Sequence, residues 1–451
     1  MLMPVYGLKD EAGRAGYAGR LARLRATASP TGGAAATVAA VMADVAGRGD
    51  AAVVDCMRRW TDPGFEASRI RVSAGDLAAA ESALGGELRE AIVSAIANVR
   101  AYQEHVMPAE AGTVRIGGAE LGMRWSPVDR VGLCVPGGTA VLFSTLVMLA
   151  VPALVAGVLP ENIHVMSPPP TVVAGGGAEA GASGSPGDIS PLVLATAGLL
   201  GLRNVYRIGG AQGVAALGYG TESVPQVDLI AGPGNVYVQL AKAQLGAACG
   251  TDNGFYGPSE IVTLADASAN ARHVAADLIA QAEHDPGKCF LVVWEPAVAD
   301  RVLEQVEVQL AARGRSVAIE AALRDESCVV VAGDEDEAYE VVNAFAAEHV
   351  NLAVADPGSA LARVRHAGEV FLGDQTPVAA GDYHAGPSHC LPTGTTGRFT
   401  SGVSVYTFLK RTGTVGYPQG MSLATIGQIA AMAEAEGLDG HAASVRARGA
   451  G

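Results

Sequence analysis

The chain has 451 residues, of which 49% are hydrophobic and 17% are charged, so it can bury large cores and does not have the composition of a disordered protein. Its formal net charge of -15 argues against nucleic acid and anionic membrane surfaces as partners. Six scattered cysteines without a CxxC pair argue against a disulfide framework or an all-thiolate zinc site. They fit a protein with reduced thiols in the cytoplasm.

The N-terminal part of the chain is predicted to be mostly helical. Residues 1–30 are interpreted as an N-terminal arm, and they lack the apolar segment of a secretory signal. Apolar residues spaced near 3.6 then predict helical segments over 34–60 and 74–106, each interrupted by glycines. A strand is predicted over 124–136, where it enters a Pro-Gly-Gly turn.

The most apolar segment, residues 139–159, is uncharged and about as long as a helix that spans a bilayer. However, Pro152 and Gly157 interrupt it, and no basic cluster flanks it as the positive-inside rule requires. We therefore predict a helix buried between a sheet and a second domain, and no membrane partner.

Strands and helices alternate from residue 160 onward, which predicts parallel α/β sheets. In the first set, strands are predicted over 162–166, 204–209 and 227–230, and helices over 191–200, 211–217 and 235–245. In the second set, strands are predicted over 260–266, 289–295, 327–333, 350–356 and 369–373, and helices over 270–283, 296–313, 336–347 and 358–366. A low-complexity loop is expected over 172–188 and a C-terminal helix over 424–436.

Residues 376–400 form a Gly- and Pro-rich segment without helix or strand periodicity, and they include Asp382, His384 and His389. Because such a loop cannot bury a core, we interpret its carboxylate and imidazoles as candidate catalytic or metal-binding groups. A solvated turn is the alternative.

Two more pairs of polar side chains lie at predicted helix ends. Gln281 and His284 share one helix face, where an amide oxygen and an imidazole can bind a metal. Glu348 and His349 lie where a helix passes into a strand, and a carboxylate beside an imidazole suits proton transfer. For each pair, a histidine that merely caps the helix is the alternative.

Three Gly-rich turns, at 136–138, 208–212 and 231–238, follow predicted strands and precede helices. That geometry suits a phosphate at a helix N-terminus. None of the turns contains GxGxxG, so the standard dinucleotide fingerprint is absent, and ordinary turn chemistry is the alternative.

Taken together, the order and spacing of seven motifs resemble those of the histidinol dehydrogenase family: VGLCVPGGTA, IGGAQGVAAL, AGPGNVYV, GPSE, QAEHDP, AEHVNLAV and GDYHAGPSHCLPT. The resemblance implies an α/β fold with two incomplete Rossmann-like domains, parallel-rich sheets, an N-terminal helical arm and a domain-swapped C-terminal tail. The implied divisions are an arm over 1–30, a discontinuous first domain over 31–133 and 261–400, a second domain over 134–260, and a dimerisation tail over 401–451.

The resemblance also implies an activity. Family members oxidise L-histidinol to L-histidine through histidinal, with two NAD+ and one zinc ion per subunit, in the last steps of histidine biosynthesis. The implied catalytic pair is Glu348 and His349. The implied zinc ligands are Gln281, His284, Asp382 and, from the second subunit of a homodimer with shared active sites, His441. The implied substrate contacts are Ser259, Gln281, His284, His349, Asp382, His389, Glu436 and His441. The implied NAD contacts are Cys134, Gln212 and Asn235, and His384 matches no role.

Two departures from the family pattern keep alternatives open. Cys134 stands where many members have a tyrosine against NAD, and the bulky Phe255 and Tyr256 precede GPSE. The alternatives are an NAD-dependent dehydrogenase of another small alcohol, such as a sulfonated diol, a zinc hydrolase that uses Glu348, and a non-catalytic binding protein. The loop motif GPSHCLPT and the missing HExxH helix favour the dehydrogenase of histidinol.

Overall fold

A computed structural model of the chain describes residues 2–28, 33–137, 141–169, 188–246, 248–252, 254–284, 287–313 and 316–449. The strands are β1 Val5–Gly7, β2 Val114–Ile116, β3 Ala119–Pro127, β4 Val131–Cys134, β5 Ile163–Met166, β6 Asn204–Tyr206, β7 Leu229–Ala231, β8 Gly250–Thr251, β9 Glu260–Ala265, β10 Lys288–Val293, β11 Cys328–Val331, β12 His349–Ala353, β13 Glu369–Leu372 and β14 Leu409–Gly416. Of the loop predicted over 172–188, only Asp188 belongs to the described residues.

The α-helices are α1 Glu11–Thr27, α2 Gly33–Arg48, α3 Asp50–Trp60, α4 Ala74–Ala83, α5 Gly86–His105, α6 Phe143–Ala156, α7 Pro191–Leu199, α8 Gly210–Tyr219, α9 Val236–Gln244, α10 Ala271–Ala282, α11 Pro296–Leu310, α12 Ser316–Ala321, α13 Glu335–Phe345, α14 Pro357–Leu361, α15 Val378–Tyr383, α16 Leu423–Ala435 and α17 Asp439–Arg446. The breaks between α2 and α3 and between α4 and α5 fall at the glycines that predicted them.

The larger sheet has six parallel strands in the order β1-β11-β10-β9-β12-β13. Successive side chains of a strand face opposite sides, so Ile261 packs with α10 and α11 while Val262 packs with α1 and α13. Burial on both faces explains why these strands are nearly continuous apolar runs in the sequence.

The second sheet has five parallel strands in the order β6-β5-β4-β7-β8. These two sheets confirm the predicted α/β class with parallel-rich sheets. Helices α2 and α3 pack against α8, α4 packs against α7, and α5 packs against α6. Helices α2–α5 therefore pack beside the five-stranded sheet. The division into domains stays a prediction, because apolar periodicity in the sequence does not specify which sheet a helix packs against.

The apolar segment forms α6, whose buried residues pack under the five-stranded sheet and against α5 and α7. Gly157 ends this helix in the left-handed region, at a φ of 101°, which a residue without a Cβ adopts readily. Within the described ranges, no helix is both long enough and apolar enough to cross a membrane.

Three local predictions were wrong. The single strand predicted over 124–136 is two strands, because β3 pairs with β2 and β14 in an antiparallel sheet while β4 enters the five-stranded sheet. Strand β14 was missed because nearly all of its residues are exposed, so its sequence has no apolar alternation. The segment 376–400 is not irregular throughout, since it contains the six-residue helix α15.

Helix α11 offers a test of how the six-stranded sheet is covered. Val306 is fully buried, whereas Val308 is 62% exposed on the same helix. We expect Val306→Ala to lower the free energy of unfolding by about 2 kcal/mol, because two buried methyl groups are lost. We expect Val308→Ala to change it by less than about 0.5 kcal/mol. Urea unfolding of both variants measures this, and equal losses would contradict the placement of α11.

Candidate active site

One cavity of about 1460 Å³ receives residues from both parallel sheets. The Gly-rich turns that line it follow the carboxyl ends of β4, β6 and β7 in the five-stranded sheet. The polar side chains that line it belong to the other sheet, where Ser259 and Glu348 immediately precede β9 and β12. The cavity thus lies between the carboxyl ends of one sheet and the amino ends of the other.

Glu348 is held between two strands of the six-stranded sheet. The Ser259 hydroxyl donates to Glu348 Oε2 at 2.5 Å, and the Glu260 backbone N–H donates to the same oxygen at 2.9 Å. Gln281 Nε2 in turn donates to the Ser259 oxygen at 2.7 Å. Since both bonds to the carboxylate go to Oε2, Oε1 is left for a ligand in the cavity.

Burial decides the acidity of this carboxylate. Removal from water raises the pKa of Glu348 well above its ordinary value, although the hydrogen bonds from Ser259 and Glu260 oppose that shift. A carboxylate with a raised pKa is a stronger base than an exposed one, which suits it for taking a proton from water.

His349 presents an imidazole nitrogen without a partner. Its Nδ1 lies 3.2 Å from the Glu260 carbonyl oxygen, an acceptor, so Nδ1 carries the proton of the neutral ring. Its Nε2 is buried and has no hydrogen-bond partner among the described residues, and it lies 3.9 Å from Asp382 Oδ1. Burial lowers the pKa of His349 to about 4, so Nε2 is a neutral acceptor at physiological pH.

His389 also lies beside Asp382, with its Nδ1 3.9 Å from Asp382 Oδ1, and its ring has a fixed orientation. Its Nδ1 donates to the Asp382 carbonyl oxygen at 2.9 Å, and its Nε2 accepts from the Thr145 hydroxyl at 3.0 Å. Burial lowers the pKa of His389 from its ordinary value. Thr145 was missed at the sequence level, because it lies in the apolar segment that forms α6 and resembles an ordinary core residue. The other loop histidine, His384, is exposed and contacts Asn98 instead.

Three of the predicted metal ligands lie on neighbouring elements, since Gln281 and His284 are at the end of α10 and Asp382 is in α15, which contacts α10. Gln281 uses its amide nitrogen on Ser259, which leaves its oxygen available, and His284 Nδ1 lies 3.3 Å from the Gln281 carbonyl oxygen, which leaves Nε2 available. With the Asp382 carboxylate, these atoms form a nitrogen and oxygen donor set that suits zinc. Among the described residues of one chain, no three His, Cys, Asp or Glu side chains can hold a metal ion. The donor atoms of Gln281, His284 and Asp382 are thus of the types that suit zinc, but a complete metal site is not found among the described residues of one chain.

The other two predicted site residues lie outside the cavity. Glu436 and His441 are exposed on the hairpin of α16 and α17, which has its own small core. Leu423 and Met432 of the same hairpin are 76% and 69% exposed. One chain by itself therefore does not bring Glu436 and His441 to Glu348.

The predicted cofactor residues Cys134, Gln212 and Asn235 all line the cavity. Gln212 Nε2 lies 3.7 Å from the sulfur of Met57 in α3. The Asn235 side chain caps α9 by accepting from the backbone N–H groups of Tyr237 and Val238, at 3.1 and 3.2 Å. Asn235 thus has a structural role that its turn motif did not distinguish from ligand binding.

A buried ion pair lies behind the third Gly-rich turn. Lys242 Nζ is 2.5 Å from Asp252 Oδ1 and donates to the Gly232 carbonyl oxygen at 3.0 Å. Asp252 Oδ2 accepts from the Gly232 backbone N–H at 2.7 Å. The pair therefore fixes both polar groups of Gly232, and the ring of Tyr256 covers the ammonium at 5.0 Å. Neither Lys242 nor Asp252 belonged to a motif that predicted a functional residue.

Comparison with known proteins shows the family to which the chain belongs. The sequence model of the family described as histidinol dehydrogenase matches residues 25–449. Histidinol dehydrogenase 2 of Trichormus variabilis is 42% identical over 416 residues, which are 92% of each chain. Histidinol dehydrogenase of Cereibacter sphaeroides is 42% identical over 415 residues, which are 92% of this chain and 91% of that relative. The crystal structure of histidinol dehydrogenase from Elizabethkingia anophelis matches 99% of this chain and 98% of its own, with a TM-score of 0.85 and 30% identity.

The neutral state of His349 can be measured directly. We expect its imidazole in the metal-free protein to titrate near pH 4, because burial disfavours the charged ring. Since the pKa in the folded state lies below the value of about 6.5 in the unfolded chain, stability is lost as the pH falls through this window. NMR of protein labelled with ¹³C at His Cε1 gives the titration, and His349→Gln assigns the resonance. A midpoint near 6.5 would contradict the buried, neutral ring.

Proposed function

The chain belongs to the histidinol dehydrogenase family, a family of oxidoreductases, and from that membership we propose that it oxidises L-histidinol to L-histidine through histidinal. The proposed reaction consumes two NAD+ and uses one zinc ion per subunit. It places the protein in the last steps of histidine biosynthesis.

The observation that carries the proposal is that Glu348 and Asp382 line one cavity, while His349, next to Glu348 in the chain, holds a buried Nε2 3.9 Å from Asp382 Oδ1. Glu348 offers a carboxylate oxygen, and His349 offers a buried nitrogen without a partner. A buried nitrogen that lacks a hydrogen bond is uncommon and indicates a position for a ligand. The same cavity is lined by Gly-rich turns with Cys134, Gln212 and Asn235, which we propose contact NAD+.

We propose that Gln281, His284 and Asp382 hold the zinc ion with His441 of the partner subunit. Bound zinc would supply a template for the imidazole and amine nitrogens of histidinol, with some Lewis-acid polarisation. Ser259, His389 and Glu436 would contribute further substrate contacts, in addition to His349 and the zinc ligands themselves. The hydrogen bond from Thr145 fixes the His389 ring for such a contact.

The first oxidation needs a base for the hydroxyl proton of the substrate. In the proposed step, His349 Nε2 accepts that proton while a hydride leaves the same carbon for NAD+, which yields the aldehyde, NADH and a proton on the ring. The low pKa of His349 makes the ring neutral and ready to accept. It also makes the imidazolium release its proton readily before the next step.

The second oxidation needs water. In the proposed step, Glu348 takes a proton from water as the oxygen adds to the aldehyde carbon, and the resulting hydrate anion loses a hydride to a second NAD+ to give the carboxylic acid, which then ionises. The products are the carboxylate of histidine and NADH. The raised pKa of Glu348 suits it to this task, and the bonds from Ser259 and Glu260 hold it in place. Retention of the reactive aldehyde between the steps requires a closed site.

We propose that the closure comes from a second copy of the chain. The α16–α17 hairpin exposes large apolar side chains, as segments that bind another subunit do. In a homodimer with exchanged tails, Glu436 and His441 would reach the cavity of the partner, and each active site would be shared. The six cysteines are free and buried, which supports a cytoplasmic location, and we propose no nucleic-acid or membrane partner.

The alternative of another small-alcohol substrate depended on Cys134 and Tyr256. Both residues line the cavity, but their exposed fractions are only 1% and 3%, so each contributes little accessible surface to it. Tyr256 instead packs over Lys242. Histidinol is therefore favoured over an alcohol that would need a reshaped pocket.

The stoichiometry of the reaction tests the proposal. We expect two NADH per L-histidinol consumed, and loss of activity after treatment with a metal chelator that zinc restores. Absorbance at the NADH band together with quantified histidine gives the ratio. One NADH per substrate would indicate a simple alcohol dehydrogenase, and turnover without NADH would indicate a hydrolase.

The two half-reactions distinguish the proposed roles of Glu348 and His349. We expect Glu348→Gln to slow oxidation of histidinal by about 10²–10⁴-fold, because a positioned base contributes that much. Oxidation of histidinol to histidinal in the same variant should change far less, since His349 serves that step. Single-turnover rates with each substrate measure both, and equal losses would overturn the role assigned to Glu348.

A further inference from the structure

The cavity is larger than a small ligand at its polar side chains would need. These side chains, here called the polar cluster, are Ser259, His284, Glu348, Asp382 and His389. Its volume of about 1460 Å³ exceeds the usual 300–1000 Å³ of a pocket for one small ligand. Besides the residues of the six-stranded sheet, it is lined by residues of α2 and by the end of α3, including Arg59 and Trp60. Because α2 and α3 pack against α8 beside the five-stranded sheet, they supply a wall that the polar cluster does not use.

Arg59 gives this wall a positive charge. Among the described residues that line the cavity, Arg59 is the only lysine or arginine. No described carboxylate lies within the 4.0 Å of an ion pair with it, although the chain carries a net charge of -15. The neighbouring Arg58 differs, since it donates to the Phe65 carbonyl oxygen at 2.8 Å and does not line the cavity. An unpaired guanidinium at a cavity wall is suited to a phosphate group.

Trp60 gives the same wall an aromatic face. The indole is 48% exposed and lines the cavity, and the Arg59 guanidinium carbon lies 5.2 Å from its ring centre. Met57, one turn earlier in α3, contacts Gln212 in the second Gly-rich turn. The guanidinium therefore lies over one face of the indole, next to a turn of the type that binds phosphate at a helix N-terminus.

We propose that Arg59 and Trp60 bind the adenylate half of NAD+, with the guanidinium on a phosphate and the indole against the adenine ring. This inference rests on the proposed use of NAD+ by the chain. It assigns the orientation of the dinucleotide, since the nicotinamide half is then directed toward Ser259 and Glu348. It also supplies an aromatic contact to the cofactor in a chain whose strand β4 ends in Cys134 and not in an aromatic residue.

The two halves of the cofactor can be tested separately with AMP and nicotinamide mononucleotide. Calorimetric titration of the holoenzyme gives Kd for each probe in the wild type and in the variants Arg59→Gln, Arg59→Lys, Trp60→Ala and Arg58→Gln. We expect Kd for AMP to rise about 10-fold or more in Arg59→Gln and Trp60→Ala, because a charge-assisted bond or a stacked base is lost. We expect a smaller rise in Arg59→Lys, which keeps the charge but not the planar fork.

Nicotinamide mononucleotide and Arg58→Gln are the controls. Binding of the mononucleotide should not change in the Arg59 and Trp60 variants, which also verifies that they are folded. Arg58→Gln removes the same charge from the same helix and should bind AMP like the wild type. The proposal is overturned if the wild-type protein does not bind AMP or if Arg59→Gln and Trp60→Ala both bind AMP normally. It is also overturned if these two variants lose binding of nicotinamide mononucleotide instead. Because binding needs no turnover, a chain that binds AMP at this wall but does not oxidise histidinol would refute the proposed function alone.

Discussion

The hydrogen bonds that Ser259 and the Glu260 amide donate to one oxygen of Glu348 depend on the register between β9 and β12. In that register His349 pairs with Ile261, so the residues just before each strand meet at the same edge of the sheet. A slip of one residue would turn His349 to the other face of the sheet and separate the pair from Gln281. The six-stranded sheet therefore holds the two groups to which we assign the proton transfers, Glu348 and His349.

This arrangement differs from that of most open α/β proteins, in which ligands bind outside the carboxyl ends of the strands. Here the carboxyl ends of β4, β6 and β7 face the cavity with Gly-rich turns, while β9 and β12 face it with their amino ends. The division suits two kinds of ligand, since backbone turns favour phosphates and the polar cluster favours a small substrate. Burial then shifts two neighbouring groups in opposite directions, because it raises the pKa of Glu348 and lowers that of His349.

Much of this fold could be predicted from the sequence where one local pattern determines one element. Glycine breaks separated α2 from α3, and apolar runs identified the strands buried on both faces. The pairs Gln281–His284 and Glu348–His349 were recognised because their spacing put them at helix ends. Other features depend on contacts between distant segments. The exposed β14, the short α15, the packing of the N-terminal helices and the role of Thr145 leave no periodic signal, so they required the three-dimensional structure.

We propose that each active site combines the core of one subunit with the C-terminal tail of another. Coexpression of two differently tagged chains, His441→Ala and Glu348→Gln, gives heterodimers that can be purified by both tags. With exchanged tails, one of the two sites regains an intact Glu348 and an intact His441, whereas both parent homodimers lack a complete site. The account predicts about half of the wild-type rate of histidine formation in the purified heterodimer. A heterodimer no more active than its parents would contradict the shared site.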